Sequence, residues 1–182
     1  MAVPAGLKGI VRAAAALLLG GGLVLAVHAE VRVVDDAGDT LVLPAPARRI
    51  VSIAPHLTEL LFAAGAGDRV VAVSEWSDHP AAAKALPRIG DAVRLDLERI
   101  VALRPDLVVV WANGSAPPQL ARLRAAGLPV FASAGRDLAH IATTLRSFGR
   151  LAGSEAAAEA RAAAFAAELA ALRAAYAGRR PL

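Results

Sequence analysis

The side chains best suited to chemistry lie in loops that follow short apolar runs of the sequence. His56 follows the first run, residues 74–80 follow the second, and Trp111 closes the third. Both tryptophans of the chain lie in these loops, and large aromatics beside small polar residues favour binding of a flat or bulky organic molecule. The alternative is that the two indoles only cover the end of a sheet. The candidate ligand contacts are Trp76, Trp111, His56, Ser77, Asp78 and Asn113.

The same loops carry no complete catalytic signature. His56 and His79 are metal-ligating residue types, but they are too far apart in sequence to share one helical face, so a metal site is not expected. Asp78 precedes His79 as in some catalytic pairs, yet no Gly-x-Ser-x-Gly turn follows a strand and no Gly-Lys-Ser/Thr loop exists. The chain has no Cys, which excludes a thiolate nucleophile and a disulfide. We therefore expect a binding lobe without catalytic apparatus or cofactor.

Alternating strand and helix patterns must position these loops. The apolar runs are nearly continuous, as is typical of strands buried on both faces, and helical patterns separate them. This alternation predicts an α/β fold with a central parallel sheet covered by helices. The predicted strands are 31–34 and 40–43, joined as a hairpin by an Asp- and Gly-rich turn, then 49–53, 69–73, 107–111 and 129–132. The predicted helices are 58–64, 97–103, 117–126, 138–151 and 154–177.

The helix boundaries carry their own signals. Asp96, Asp137 and Ser154 each precede a helical pattern and are typical N-cap residues, and Gly153 and Gly178 stand where helices should end. The last helix is the longest, at about 24 residues or roughly 36 Å. Its larger apolar residues recur every three or four positions and form one stripe. Such a rod is expected to join two lobes or to pack in a coiled coil.

Residues 1–29 have the pattern of a secretory signal peptide. Lys8 and Arg12 precede an apolar stretch, and Val27, His28 and Ala29 are suitable for cleavage before Glu30. The alternative is an uncleaved membrane anchor. No other stretch of the 182 residues is long and uncharged, which excludes a polytopic membrane protein, and a 57% apolar composition excludes a disordered chain. The net charge of +4 comes without basic clusters interleaved with aromatics, so nucleic-acid binding is not expected.

Three segments resemble one known family. Residues 49–65 resemble the first strand and helix of class III periplasmic binding proteins, which capture cobalamin, haem or iron-siderophores for ABC importers. Residues 73–80 are similar to the aromatic-Ser-Asp-aromatic-Pro loop of the cobalamin-binding branch, and residues 97–111 resemble a distinctive family stretch. The resemblance covers residues 31 to about 178. It implies a monomeric periplasmic protein whose cargo is a corrinoid, here cobalamin.

The family pattern also implies an architecture and a docking residue. It implies two Rossmann-like lobes joined by a rigid helix, with the ligand between the lobes. Residues 30–153 would form the N-terminal ligand-binding lobe and residues 154–178 the interlobe helix. Trp76 and Trp111 stand where the cobalamin branch has aromatic ligand contacts. Glu98 stands where the family has a carboxylate that docks on arginines of the membrane permease, and its place in the first turn of a helix favours an anion.

The sequence departs from the family pattern in two places. A further aromatic is expected before residue 97, but Ala92 and Val93 occupy that region. The second lobe is absent from the given sequence, so we expect a truncated chain that binds cobalamin weakly or not at all by itself. A single lobe would give up about half of the buried ligand area.

Three alternatives remain open at this point. The first is a haem or iron-siderophore receptor of the same family. Haem iron usually takes an axial Tyr or His; the only Tyr, Tyr176, lies in the last predicted helix, whereas His56 and His79 keep this option open. The second is an enzyme built on a similar chelatase or metallocluster-type lobe. The third is a gene fragment without a function of its own.

Overall fold

The fold is described from a computed structural model over residues 30–91, 94–115 and 117–178. The strands are β1 (Val31–Val34), β2 (Thr40–Leu43), β3 (Ile50–Ser52), β4 (Val70–Val73), β5 (Leu107–Trp111) and β6 (Val130–Ser133). Strands β1 and β2 form an antiparallel hairpin, and the other four form a parallel sheet in the order β4-β3-β5-β6. The predicted α/β fold with a parallel sheet is therefore confirmed. The predicted signal peptide at 1–29, and Ala92 and Val93, lie outside the described residues.

The helices lie close to their predicted positions. They are α1 (Pro55–Ala63), α2 (Leu97–Ala102), α3 (Pro117–Ala125), α4 (Leu138–Ala152) and α5 (Glu155–Tyr176). The first helix begins three residues earlier than predicted, because Pro55 at its first position suits a helix start. Asp96 and Asp137 cap α2 and α4 as predicted, each accepting a backbone N–H three residues later at 2.9 Å. Gly153 ends α4 in the left-handed conformation, with φ of 65°.

The sheet is buried on both faces, as its continuous apolar strands predict. Every residue of β3 is buried, as are the first four residues of β5 and all of β6. One face packs against the hairpin, α1, α4 and α5, and the other against α2 and α3. Because alternate residues of a strand point to opposite faces, Val109 belongs to the first core and Val108 to the second. The sheet is thus held rigid, and its loops are presented from a fixed frame.

The N-terminal hairpin is attached to the edge strand β6 by its own turn. Asp35 accepts the backbone N–H of Ala132 at 3.2 Å, and the N–H of Asp36 donates to the carbonyl of Ala132 at 3.0 Å. The carboxylate of Asp36 also accepts the N–H of Ala134 at 2.7 Å and lies 2.9 Å from His140 Nε2. The acidic turn, which the sequence predicts only as a hairpin turn, is therefore also a tertiary anchor.

The long helix α5 packs along α4 through small residues. Gly149 of α4 faces Ala158 of α5 so closely that a Cβ at Gly149 would overlap that methyl group. Ser154 is the N-cap residue of α5, as predicted, but its hydroxyl makes no capping bond: Ser154 Oγ donates to the carbonyl of Ala64 at 2.7 Å instead. At 22 residues the helix is about 33 Å long. Within the described part of the chain, no helix has the length and apolarity needed to cross a membrane.

The predicted apolar stripe on α5 is only partly covered. Phe165 packs against the core formed by the hairpin, α1 and α4. Further along the helix, Leu172 and Tyr176 are exposed by 57% and 58%. The first half of α5 is therefore part of the lobe, whereas its last turns extend beyond the lobe surface.

Candidate functional site

The order of the strands places a crevice between the loops that follow β3 and β5. The chain leaves β3 for β4 on one side, and β5 pairs with the other side of β3. In open parallel sheets, ligands bind at such a reversal of strand order, beyond the carboxyl ends of the strands. His56 follows β3 and Trp111 ends β5, so both stand at this reversal. The loop with Trp76 follows the neighbouring strand β4.

The indole of Trp111 is held between two neighbours. The His56 ring meets it edge to face, with ring centroids 5.2 Å apart. On another side the backbone of Gly114 lies so close that a Cβ there would overlap the six-membered ring of the indole. Trp111 is nevertheless 38% exposed. The ring is therefore held in a defined orientation while part of its surface stays open, which is the arrangement expected of a stacking platform.

Trp76 is the most exposed large apolar side chain among the described residues, at 79%. Its backbone has a φ of 65°, in the left-handed region that residues other than glycine seldom adopt. Exposing an indole forgoes the stabilisation that its burial would give. Both the exposure and the backbone conformation are thus unfavourable to folding, and such features concentrate at binding sites. Both indoles thus keep part of their surface open, and their role as ligand contacts stays a prediction.

Ser77 is completely buried, although it follows Trp76 directly. Its hydroxyl oxygen lies 3.2 Å from that of Thr58 and 3.1 Å from that of Ser74. Thr58 in turn lies 2.9 Å from the hydroxyl of Ser52. These four residues form a buried hydroxyl cluster that joins β3, α1 and the loop after β4. The structure therefore does not bring Ser77 to the surface with the other candidates, and its contacts support the loop from beneath.

The remaining candidates of these loops are exposed. Asp78 forms an ion pair with Arg88, with Oδ1 and Nη2 3.1 Å apart. His79 and Asn113 are exposed, His79 beyond Asp78 and Asn113 in the loop after β5. Asp78, Asn113 and the two tryptophans thus lie at the same edge of the sheet, where the sequence predicts them.

Burial shifts the protonation equilibrium of His56. Partial burial lowers the pKa of the His56 imidazole below its ordinary value, and the charge of Glu59 opposes this shift more weakly. The neutral ring is therefore favoured more than in a free histidine. A neutral imidazole can hydrogen-bond through one nitrogen as a donor and through the other as an acceptor, or ligate a metal.

A cleft of about 520 Å³ opens between α1 and α4, beside His56. Its apolar wall includes Leu57, Leu60 and Ile141, and its polar rim includes Arg136 and His140. These residues are not among the predicted site residues, although the cleft also borders the loop after β6, at Ser133 and Gly135. The N-cap residue Asp137 could have indicated them, because it places the start of α4 directly after that loop. The cleft extends the site from the tryptophans toward α4.

Glu98 lies in the first turn of α2. Its side chain is exposed, and the helix start is capped by Asp96 rather than by Glu98. The carboxylate is therefore not needed for the cap and points into solvent near the start of the helix. Its role in docking stays a prediction.

Within residues 30–91, 94–115 and 117–178, no three His, Asp or Glu side chains are grouped so that they could hold a metal ion. The buried hydroxyl cluster of Ser52, Thr58, Ser74 and Ser77 has no hydrogen bond to an imidazole or carboxylate among the contacts described above. The side chains at this edge of the sheet are two open indoles, an imidazole, a carboxylate and an amide. This set is suited to holding an organic molecule by stacking and hydrogen bonds.

Comparison with known proteins gives a consistent relationship. The profile of the family described as "Periplasmic binding protein" matches residues 50–181. The vitamin B12-binding protein of Vibrio cholerae serotype O1 (strain ATCC 39541) is 38% identical over 142 residues, which cover 78% of this chain and 51% of that protein. Among solved structures, the periplasmic vitamin B12 binding protein BtuF of Vibrio cholerae has a TM-score of 0.73 at 38% identity, over 75% of this chain and 54% of that one.

A haem-binding relative is also similar. The periplasmic heme-binding protein RhuT from Roseiflexus sp. RS-1 in its apo form has a TM-score of 0.62 at 36% identity, over 70% of this chain and 49% of that one. The chain thus spans about half the length of the relatives it matches. The family profile covers most of the chain, including every strand of the parallel sheet and all five helices. The chain therefore belongs to the periplasmic binding protein family.

Proposed function

We propose that this chain serves as the cargo-binding part of an ABC importer in the periplasm, and that its cargo is a corrinoid, cobalamin. The observation that carries the proposal is the exposure of both indoles at the edge of the sheet where its strand order reverses. Aromatic faces suit a large, flat and partly apolar macrocycle, and the polar groups beside them can bond its amide arms. No chemical step on the cargo is proposed, and the chain is not expected to act as an enzyme or to carry a cofactor.

The similarity to vitamin B12-binding proteins supports a corrinoid rather than another cargo. The Vibrio cholerae relative named for vitamin B12 matches this chain at a higher TM-score than the haem-binding relative does. The tryptophan loop at 73–80 also belongs to the segments that resemble the cobalamin branch. We propose that Trp76 and Trp111 contact the corrin, with His56, Asp78 and Asn113 around it.

The affinity of the given chain should be modest. In the arrangement that the resemblance implies, a second lobe covers the other side of the ligand. One face alone forgoes about half of the contact area while the loss of translational freedom on binding is unchanged. We expect a dissociation constant for cyanocobalamin above about 1 µM.

Equilibrium dialysis against cyanocobalamin tests this proposal. Trp76→Ala and Trp111→Ala should each weaken binding about tenfold or more, because a buried stacking contact is worth more than 1 kcal/mol. Val42→Ala is the control, since Val42 is an exposed apolar side chain on β2 that lines a cleft with Asp106 and Pro129, which precede β5 and β6 and so lie at the opposite edge of the sheet. Equal affinity of the wild-type chain and both tryptophan variants would contradict the proposed site.

We further propose that residues 1–29 direct export and that Glu98 docks on the importer's permease, with the chain acting as a monomer. An exposed carboxylate adds little to stability but can orient a partner through charge. Glu98→Gln should leave cyanocobalamin binding unchanged and weaken binding to a cobalamin permease reconstituted in lipid vesicles. Unchanged binding to the permease would remove Glu98 from this role.

Haem is a second candidate cargo, and His56 is the observation that favours it. An exposed imidazole whose pKa is lowered is available in its neutral form as an axial ligand of iron. A shift of the haem Soret band on mixing with the chain, abolished in His56→Ala or in His79→Ala, would favour haem over cobalamin. An unchanged Soret band would exclude axial ligation by either histidine.

A further inference from the structure

The loop that carries Trp76 is held by one guanidinium. Arg88 Nη1 donates to the carbonyl of Ser74 at 3.0 Å and to the carbonyl of Ser77 at 3.1 Å. Its Nη2 donates to Asp78 Oδ1 at 3.1 Å. Arg88 therefore bonds the backbone on both sides of Trp76 and a third group just after it. Charged hydrogen bonds of this kind are stronger than neutral ones.

The segment that carries Arg88 is itself fixed to the sheet. Val73, the last residue of β4, donates its N–H to the carbonyl of Pro87 at 3.0 Å and accepts the N–H of Ile89 at 3.1 Å. Two residues further, the carbonyl of Gly90 accepts the N–H of Glu75 at 2.8 Å. Arg88 thus acts from a rigid strand-like segment and not from a mobile loop.

The opposite side of the Trp76 loop rests on the buried hydroxyl cluster. Ser77 and Ser74 join that cluster through Thr58 of α1. The loop is therefore held from beneath by hydroxyls and from the side by Arg88, while the indole of Trp76 projects outward with 79% of its surface exposed. Packing of the indole itself cannot account for the order of the loop, because so little of the ring is covered.

This support is needed because the Trp76 backbone is in the left-handed region, which is unfavourable for a residue with a Cβ. Without external bonds the loop would sample other conformations in which the ring points elsewhere. Ordering it at the moment of ligand binding would then reduce the affinity.

We propose that Arg88 is a positioning residue for the cargo site: its guanidinium holds the loop at 74–78 so that Trp76 is presented to the ligand before the ligand arrives. The proposal rests on the proposed function, in which Trp76 contacts the cargo. Arg88 acts through the loop backbone and need not contact the ligand. The shape of the guanidinium is essential, since the compact ammonium of lysine cannot reach three acceptors in one plane.

Hydrogen exchange of the ligand-free chain, followed by mass spectrometry, tests the positioning role. In Arg88→Met, amide exchange in a peptide spanning 74–78 should accelerate about tenfold or more, because several hydrogen bonds to a charged group are lost. Exchange in α4 should stay unchanged. Arg88→Lys should fall between the wild type and Arg88→Met. Arg150→Met, which removes an exposed arginine of α4, is the matched control and should leave the loop unchanged.

Unchanged loop exchange in Arg88→Met would overturn the proposal. Should Arg88→Met fail to fold, Arg88→Lys decides: a folded variant with wild-type exchange in 74–78 would equally overturn it. Dialysis of cyanocobalamin against the folded variants then separates the two proposals. If the wild-type chain binds no cyanocobalamin while Arg88→Met loosens the loop, the proposed contact of this lobe with cobalamin fails and the loop support stays intact. Wild-type affinity in a variant with a loosened loop refutes the presentation of Trp76 by Arg88.

Discussion

The ring of His56 meets the indole of Trp111 edge to face, with centroids 5.2 Å apart and planes inclined by 84°. His56 follows β3 and Trp111 ends β5, and the two residues meet only because these strands are neighbours in the sheet. Between them they occupy the place where the strand order reverses. The contact therefore links the topology of the fold directly to the proposed binding surface.

Replacing Gly114 by alanine should displace Trp111. The added Cβ would overlap the indole, so the ring must rotate or the loop must move. We expect a shift in the Trp111 fluorescence, measured in a Trp76→Phe background, and a loss of cyanocobalamin affinity of about tenfold. Gly135→Ala is the control, because a Cβ at Gly135 meets no atom within 4 Å. The Trp111 emission of this variant should match that of the Trp76→Phe chain. Identical spectra for both variants would show that Gly114 does not orient the indole.

The stability of the lobe should depend on pH through His56. Burial lowers the folded-state pKa of His56 below its ordinary value of 6.5. As the pH falls through that value, the unfolded chain takes up a proton more readily than the folded chain, so stability is lost. His56→Gln cannot titrate and should lose less unfolding free energy between pH 8 and pH 5 than the wild type. Urea unfolding at several pH values measures the difference, and parallel curves for the two proteins would contradict the assignment.

The carboxylate of Asp36 should contribute more to the stability of the fold than the carboxylate of Asp39, which lies in the same hairpin turn. Asp36 bonds the backbone of Ala134 and the ring of His140 and is mostly buried. Asp36→Ala should lower the unfolding free energy by about 2 kcal/mol, because it leaves these groups without their partner. Asp39→Ala breaks an exposed ion pair with Arg124 and should cost less than about 1 kcal/mol. Equal costs in urea unfolding would show that the hairpin is not anchored through Asp36.

The prediction that residues 1–29 are a signal peptide can be tested by mass spectrometry. If residues 1–29 are removed on export, the chain recovered from the periplasm of a bacterium should begin at Glu30. Intact-mass measurement distinguishes this product from one that starts at Met1. A full-length chain in the membrane fraction would favour an uncleaved anchor.

The sequence predicts those features that depend on neighbouring residues. The caps at Asp96 and Asp137 and the end of α4 at Gly153 are local, and the structure confirms them. The order of strands and helices follows from alternating apolar runs. The rim loops could be placed in the same way, because a parallel sheet brings the carboxyl ends of its strands to one edge.

Features that depend on distant residues could not be read from the sequence. The hydroxyl of Ser154 matches an N-cap but bonds Ala64, which lies 90 residues away in sequence. Ser77 stands between two exposed residues, so its burial depends on Thr58 of another element. Arg88 was not among the predicted site residues, because its three acceptors lie on a loop that only the folded sheet brings beside it.

The most direct test of the central claim is a cyanocobalamin titration followed by the two indole N–H signals in a ¹⁵N-labelled chain, assigned with Trp76→Phe and Trp111→Phe. Both signals should shift or broaden together as cyanocobalamin reaches millimolar concentration, while the amide of Val42, at the opposite edge of the sheet, stays fixed. Because cyanocobalamin at millimolar concentration occupies even a weak site, the test does not require tight binding. Indole signals that do not move, in a chain whose other amides show it to be folded, would contradict the account.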